Sequence, residues 1–316
     1  MRILVETPTW LGDTVMLTPS LLNLEKSFPR SEIYIVGSPV AMQILEGFGK
    51  KRISIGRKNR FGEIRRVSRE IGKVDISLSF RTSPFSGMLQ LFSGAKERVA
   101  IGKPLNSLFL TKSVKPEKHL HQVEKYLEIV KSVIGEVEKF PQKLRFEKKL
   151  YKKPTLGINA GATYGSAKRW YPKKFAEVIA NLSDKYETVL FGGKGEIDIV
   201  SEIENLLIRN GITNFINLAG KTSVSELAEL IGGLDLFITN DSGPMHIAGA
   251  FGVPTVSIFG STNHIETNQW KNEKSEIVRK NLECSPCMKR ECPLKHHDCM
   301  KSISADEVVQ NVFNIT

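Results

Sequence analysis

No run of eighteen or more apolar residues occurs in this 316-residue chain, so no membrane-spanning helix is expected. Cysteine is nearly absent. The four that exist all fall inside residues 284–299, which excludes a disulfide framework stapling the rest of the chain. The glycine fingerprint GxGxxG is missing after the first apolar run, Ile3-Leu4-Val5, where a dinucleotide-binding fold would carry it. That argues against a dehydrogenase or epimerase built on a bound dinucleotide. Acidic residues are scarce in the first half: residues 1–150 hold 27 Lys+Arg against 15 Asp+Glu, whereas 151–316 hold 18 against 19. The excess positive charge therefore lies in the first half and implies an anionic partner met there. Nucleic acid, an anionic membrane surface and a phosphorylated glycolipid all satisfy that requirement. A nucleic-acid-binding protein with a Cys/His knuckle is the competing class, but the basic half shows no interleaved aromatic platform for bases, and the cysteines sit in the neutral half. The opening Met1-Arg2-Ile3-Leu4-Val5-Glu6-Thr7-Pro8 reads as a short strand closed by a polar turn, not as a targeting segment, and the expected location is cytoplasmic.

The length is about twice that of a usual domain, which predicts two. Strand and helix alternate along the first half: strands at 3–5, 33–36, 53–55, 76–79 and 98–101, and helices at 15–28, 39–48 and 122–134. The charged stretch 147–154 reads as a linker. The pattern then restarts, with strands at 155–159, 188–192, 236–239 and 255–259 and helices at 172–185, 197–210, 223–232 and 245–251. This is the signature of two doubly wound α/β domains, 1–148 and 149–316, facing across a cleft, with functional residues directly after strands.

Several residues occupy such positions. The first strand runs into Thr7-Pro8-Thr9-Trp10-Leu11-Gly12-Asp13, which places a carboxylate at a helix start. Asp13 reads either as an N-cap or as a general base that takes a proton from an attacking hydroxyl. The second domain opens with Gly157-Ile158-Asn159-Ala160-Gly161-Ala162-Thr163-Tyr164-Gly165-Ser166-Ala167-Lys168-Arg169-Trp170. Small residues there let backbone N–H groups approach an anion, and Lys168 and Arg169 can neutralise phosphate, although a solvated basic loop has the same composition. Glu196 follows another strand, where it can accept hydrogen bonds from ribose hydroxyls or simply start a helix. The most specific segment is Ile238-Thr239-Asn240-Asp241-Ser242-Gly243-Pro244-Met245-His246-Ile247-Ala248. An apolar strand meets a Ser-Gly turn and then a helix whose free N–H groups and dipole suit a diphosphate. There Asp241 would hold a sugar hydroxyl, and His246 follows one turn later.

Cys284, Cys287, Cys292 and Cys299 are spaced C-x2-C-x4-C-x6-C, with His296 and His297 between the last two. Thiolates holding a structural zinc are expected; reduced buried thiols and an iron–sulfur cluster stay open as alternatives.

Taken together, Thr9-Trp10-Leu11-Gly12-Asp13, Ala160-Gly161-Ala162 through Lys168-Arg169-Trp170, and Thr239 through Ala248 resemble the ADP-heptose:lipopolysaccharide heptosyltransferases. Leu218-Ala219-Gly220-Lys221-Thr222, the run 254–260 and the Cys/His segment extend the likeness over nearly the whole chain. The resemblance implies the two-Rossmann GT-B fold, with acceptor on the first domain, ADP-heptose on the second and the last helix packing back on the first domain. It also implies inverting transfer that requires no cofactor for catalysis. On this resemblance Asp13 is the base and Lys168 the phosphate-side cation, with donor contacts at Thr163, Glu196, Asp241, Ser242, Gly243 and His246. An anionic lipopolysaccharide inner-core acceptor would explain the basic first half and bring the enzyme to the inner membrane surface. Thr9 and the cations Arg57, Lys58 and Arg60, together with Arg65, Arg66 and Arg69, are the expected acceptor side. No nucleic acid partner is expected.

Overall fold

The computed structural model describes residues 1–56 and 58–315; Arg57, one of the expected acceptor-side cations, lies outside the described residues. The chain divides into two compact units, Met1–Arg145 and Phe146–Thr316. The first contains β1 (Arg2–Glu6), α1 (Leu11–Met16), α2 (Thr18–Ser27), β2 (Glu32–Gly37), α3 (Pro39–Ile44), β3 (Lys51–Ser54), α4 (Arg60–Ile71), β4 (Ile76–Ser79), α5 (Pro84–Phe92), β5 (Glu97–Ile101), β6 (Lys112–Val114) and α6 (Gln122–Ile134). The second contains β7 (Thr155–Asn159), α7 (Pro172–Leu182), β8 (Glu187–Phe191), α8 (Ile197–Arg209), β9 (Phe215–Asn217), α9 (Val224–Gly232), β10 (Leu236–Asn240), α10 (Gly243–Phe251), β11 (Thr255–Phe259), α11 (His264–Thr267), β12 (Ser275–Arg279), α12 (Asp298–Lys301) and α13 (Ala305–Phe313).

Both sheets are parallel and six-stranded, ordered β3-β2-β1-β4-β5-β6 and β12-β11-β10-β7-β8-β9. Numbered from each unit's own first strand, the two orders are the same, the doubly wound 3-2-1-4-5-6. The strand direction of travel reverses between β1 and β4 in one unit and between β7 and β10 in the other. Crevices at the carboxyl ends of those strand pairs are where such sheets take ligands. The central strands β1, β4, β7 and β10 are buried almost end to end, as parallel strands covered by helices on both faces are. Leu156, Ile158, Leu236, Ile238, Val256 and Ile258 are all buried with Trp170, Phe175 and Ile179 in the second unit's core. Helix α13 adds Ala305, Val308 and Val312 to that core. Among the described residues no helix is long and apolar enough to cross a membrane.

Five details differ from the sequence expectation. The single helix expected at 15–28 is two, broken at Leu17, because Pro19 sits in the first turn of α2 and cannot continue a preceding helix. Helix α1 begins at Leu11 on an N-cap Trp10, so Asp13 is its third residue and not its cap. The arginine-rich stretch is an amphipathic helix, α4, which buries Ile64, Val67 and Ile71 and turns Arg65, Arg66 and Arg69 outward. Elements α5, β6, β9, α11, β12 and α12 were not expected, most of them because they are short. The last helix, α13, which was expected to pack back on the first domain, buries Ala305, Val308 and Val312 in the second unit's core.

The reversal point of the first sheet holds a buried carboxylate. Glu6, at the end of β1 and opposite Ser79 of β4, is 2 % exposed. Its Oε2 accepts from Ser79 Oγ at 2.6 Å and its Oε1 from Ser86 Oγ at 3.1 Å, with the Arg81 guanidinium 3.8 Å away. Burial raises its pKa above the ordinary value against the opposing pull of Arg81, the two serines and Arg60.

A carboxyl whose folded pKa is raised binds its proton more tightly in the native state than in the unfolded chain. Its contribution therefore favours folding at low pH and is lost as pH rises from the unfolded value through the folded one. Wild type should lose stability relative to Glu6→Gln over that rise in pH; parallel Tm-against-pH curves for the two proteins would refute the assignment. A second expectation concerns Gly157 in β7, where a Cβ would lie 2.3 Å from Leu234 Cδ1 and 2.8 Å from Phe237 Cδ2. Gly157→Ala should destabilise by about 1–3 kcal/mol in urea unfolding, the usual cost of overpacking.

Candidate functional site

In the second unit, β7 and β10 are hydrogen-bonded neighbours, and each ends on an asparagine. Asn159 Nδ2 donates to Ser242 Oγ at 3.1 Å and to the Gly161 carbonyl at 3.2 Å. Asn240 Nδ2 donates to the Ala160 carbonyl at 2.7 Å, and its Oδ1 accepts from the Trp170 N–H at 3.0 Å. The two amides thus pin both ends of the 160–170 loop to the sheet edge, and buried Trp170 anchors the loop's far end in the core. Between those anchors a short 3-10 turn, Ser166–Lys168, directs Lys168 back toward β10.

Lys168 Nζ lies 2.6 Å from Asp241 Oδ2; the lysine side chain is 13 % exposed and the aspartate 3 %. The same Asp241 oxygen accepts from Thr262 Oγ1. The ammonium also stands 4.9 Å from the centre of the Tyr164 ring. A mostly buried cation is thereby fixed at the sheet's reversal point, next to the first turn of α10. Ser242 precedes that helix without capping it through its side chain, and Gly243 is its first residue. Pro244 brings no N–H to this helix start and the Met245 N–H donates to the Ser242 carbonyl at 3.2 Å, so the Ser242–Gly243 backbone, beside the fixed ammonium, is the setting for an anion with two phosphates.

The remaining expected donor-side residues fall around this centre. Glu196 is buried, accepts from the Gly193 N–H at 2.7 Å, and packs so closely on Gly161 that a Cβ there would lie 2.0 Å from its carboxyl carbon. Thr163 is exposed on the 160–170 loop. His246 is buried in the first turn of α10. Three residues of the cluster were not singled out from sequence: Asn159, Asn240 and Thr262. The asparagines carried a readable signal, since each ends an apolar strand run. Thr262 reaches Asp241 only through the tertiary fold.

In the first unit, the Asp13 carboxylate hydrogen-bonds the hydroxyl of Tyr126 on α6. Tyr126 is buried, and burial first, then the Asp13 charge, holds that hydroxyl well above its ordinary pKa, so it is a neutral donor. Its ring packs edge-on against Phe80 at 5.3 Å, just beyond β4. Thr9 is half-buried in the connection between β1 and α1. Arg60 lies over the Phe85 ring at 5.0 Å and within the field of Glu6. Lys58, Arg65 and Arg69 are exposed. Arg66 is engaged by its own helix: it pairs with Glu63 at 3.0 Å and Glu70 at 3.1 Å and donates to the Ser54 carbonyl. Arg66 and the Gly56 N–H hold Glu63 at a pKa of about 2. Glu6, Arg81 and Tyr126 were missed from sequence because nothing local marks them.

The four cysteines are free thiols that line one cavity in the second unit. Burial and the neighbouring thiols of Cys284, Cys287 and Cys292 push Cys299 up to about 11. Among the described residues no group of three or more His, Cys, Asp or Glu side chains is already arranged to hold a metal ion.

Comparison with known proteins converges on one family. Residues 64–297 match the model of glycosyltransferase family 9 (heptosyltransferase). Lipooligosaccharide heptosyltransferase 2 of Campylobacter jejuni is 37 % identical over 325 aligned positions, covering 100 % of this chain and 98 % of the relative. Lipopolysaccharide heptosyltransferase 2 of Salmonella typhimurium is 25 % identical over 100 % of this chain and 98 % of its own. Among solved structures, ADP-heptose LPS heptosyltransferase II of E. coli superposes with a TM-score of 0.82 at 23 % identity, covering 100 % of this chain and 98 % of that one. With its paired 3-2-1-4-5-6 sheets of GT-B type, the chain belongs to glycosyltransferase family 9, the heptosyltransferases, and is a glycosyltransferase.

Proposed function

We propose that this enzyme transfers heptose from ADP-L-glycero-D-manno-heptose to a heptosyl-Kdo2-lipid A inner core during lipopolysaccharide core synthesis, with inversion at the anomeric carbon. The observation that carries the reading is Lys168, a nearly buried cation held by Asp241 beside the start of α10. A leaving nucleoside diphosphate needs positive charge at that kind of position, and the full-length likeness to proteins named heptosyltransferase 2 favours ADP-heptose as its source.

In this mechanism Asp13 takes the proton of an acceptor hydroxyl as the oxygen attacks the anomeric carbon from the face opposite ADP. The bond from that carbon to the diphosphate oxygen breaks, and ADP departs with the electron pair, so a single displacement inverts the centre. Lys168 and the helix N-terminus at Ser242–Gly243 stabilise the charge growing on the diphosphate, work done by a divalent cation in metal-dependent transferases. On this reading the catalytic step uses no cofactor. Glu196 accepts from ribose hydroxyls, and Thr163, Ser242, Gly243 and His246 complete the donor contacts. Asp241 shares its Oδ2 with Lys168 and Thr262 and so positions Lys168, while its other carboxylate oxygen accepts from a sugar hydroxyl of the donor. The hydroxyl of Tyr126 orients the Asp13 carboxylate.

Thr9, Arg57, Lys58 and Arg60 serve the acceptor, whose Kdo carboxylates and lipid A phosphates match the basic first half. The same charge favours peripheral contact with the cytoplasmic face of the inner membrane and needs no nucleic acid partner.

ADP release from ADP-heptose with heptosyl-Kdo2-lipid A tests the whole assignment. Asp13→Ala should lower kcat by roughly 10²–10⁴ with little change in donor KM. Lys168→Ala should lower kcat by roughly 10²–10³ and raise donor KM as well. A wild-type enzyme that binds ADP yet releases none with this acceptor would overturn the donor–acceptor pair and redirect the search to other sugars of the same class.

A further inference from the structure

Residues 280–297 form no helix or strand, and none of residues 281–298 is buried. Ordering such a stretch costs about 1–2 kcal/mol per residue in backbone entropy, and it has no apolar core of its own to offset that. Met288, Lys295 and His297 also take left-handed φ values of 56°, 60° and 57°. What the segment has is four thiols, none in a disulfide, facing a common cavity of about 20 Å³. That volume matches one water-sized occupant.

Of the two histidines beside the cavity, His297 is engaged through both ring nitrogens and His296 through Nδ1. His297 meets the Tyr171 hydroxyl through Nδ1 at 3.1 Å and the Ala167 carbonyl through Nε2 at 3.2 Å. The Nδ1 atom of His296 accepts from the Asp298 N–H at 3.0 Å. Four sulfurs by themselves complete a tetrahedral donor set, and four thiolates select a soft or borderline ion such as zinc, with bonds of about 2.3 Å. Because no three of these side chains already stand in a metal-holding arrangement, loading draws the thiols inward from their free positions.

We propose that Cys284, Cys287, Cys292 and Cys299 bind one zinc-class divalent ion, and that this metal-tied knuckle holds the loop carrying Lys168. Binding converts four thiols to thiolates and releases four protons, leaving a site of net charge −2. The mechanical link is direct. The Arg290 carbonyl accepts from the Ala167 N–H at 3.0 Å, and the Met288 carbonyl accepts from the Tyr164 hydroxyl at 3.0 Å. Arg290 lies 5.3 Å from the Tyr164 ring centre, and a Cβ on Gly165 would lie 2.2 Å from the Arg290 carbonyl oxygen. On the other side, the Met288 N–H donates to the Ser261 carbonyl at 2.7 Å and Ser285 Oγ to the Gly260 carbonyl at 2.6 Å, adjoining Thr262. The knuckle thus braces both segments that position Lys168 and Asp241. This second half of the proposal rests on the donor-site reading given above.

The test is metal analysis of the full chain purified under reductant, with ADP affinity measured in parallel. About one metal atom per chain is expected, lost in the Cys284→Ser/Cys287→Ser variant; iron in place of zinc at the same stoichiometry supports the same tetrathiolate site. Should that variant fail to fold, wild type alone decides. Its four thiols should resist a thiol reagent until a chelator is added, and cobalt reconstitution should give the intense visible bands of a tetrahedral tetrathiolate. Metal-free wild type that takes up neither Zn²⁺ nor Co²⁺ and whose four thiols react at once would overturn the site. Removal of the metal should weaken ADP binding at least tenfold. Unchanged affinity would overturn the bracing role alone, whereas a metal-loaded protein that never binds ADP would count against the donor reading and leave the metal site standing.

Discussion

The contact on which the second unit's chemistry depends is the ion pair between Lys168 and Asp241. Two largely buried charges 2.6 Å apart are stable only if each is held in place, because breaking such a pair leaves an uncompensated charge in a poorly solvated site, at a cost of about 3–5 kcal/mol. The surrounding residues supply that constraint. Thr262 braces the shared aspartate oxygen, Asn240 and Asn159 tie the loop to the sheet edge, and Trp170 fixes the loop's end in the core. Preorganisation of this kind matters for catalysis because a cation already in position costs no rearrangement when charge develops on a leaving group.

The first unit also pairs a buried carboxylate with a cation at its sheet reversal. There Glu6 holds Arg81 and influences Arg60, while α6 presents Tyr126 to Asp13. Both units share one strand order, so one topology twice brings a buried carboxylate and a cation together at a sheet reversal. On the proposed mechanism, proton removal falls to the first unit and leaving-group stabilisation to the second.

Much of this architecture was legible in the sequence. Strands β4, β7 and β11 and helix α6 have the expected bounds, because their apolar runs are bordered by clear turn residues. The elements that were not read owe their form to context: β6 and β9 are three-residue edge strands, and α4 hides its apolar stripe of Ile64, Val67 and Ile71 among arginines. The site follows the same division. Lys168, Asp241, Ser242 and Gly243 were readable because they stand in strand–turn–helix segments. Glu6, Arg81, Tyr126 and Thr262 were not, because each acquires its role from a partner more than twenty positions away, as in Thr262 with Asp241 or Glu6 with Ser79.

The most direct test of the account is a crystal structure of the enzyme with ADP bound. Diphosphate oxygens within hydrogen-bonding distance of Lys168 Nζ and of the Ser242–Gly243 backbone N–H groups, with the ribose hydroxyls against Glu196, are predicted. ADP bound with its phosphates away from Lys168 and the Lys168–Asp241 pair undisturbed would contradict it.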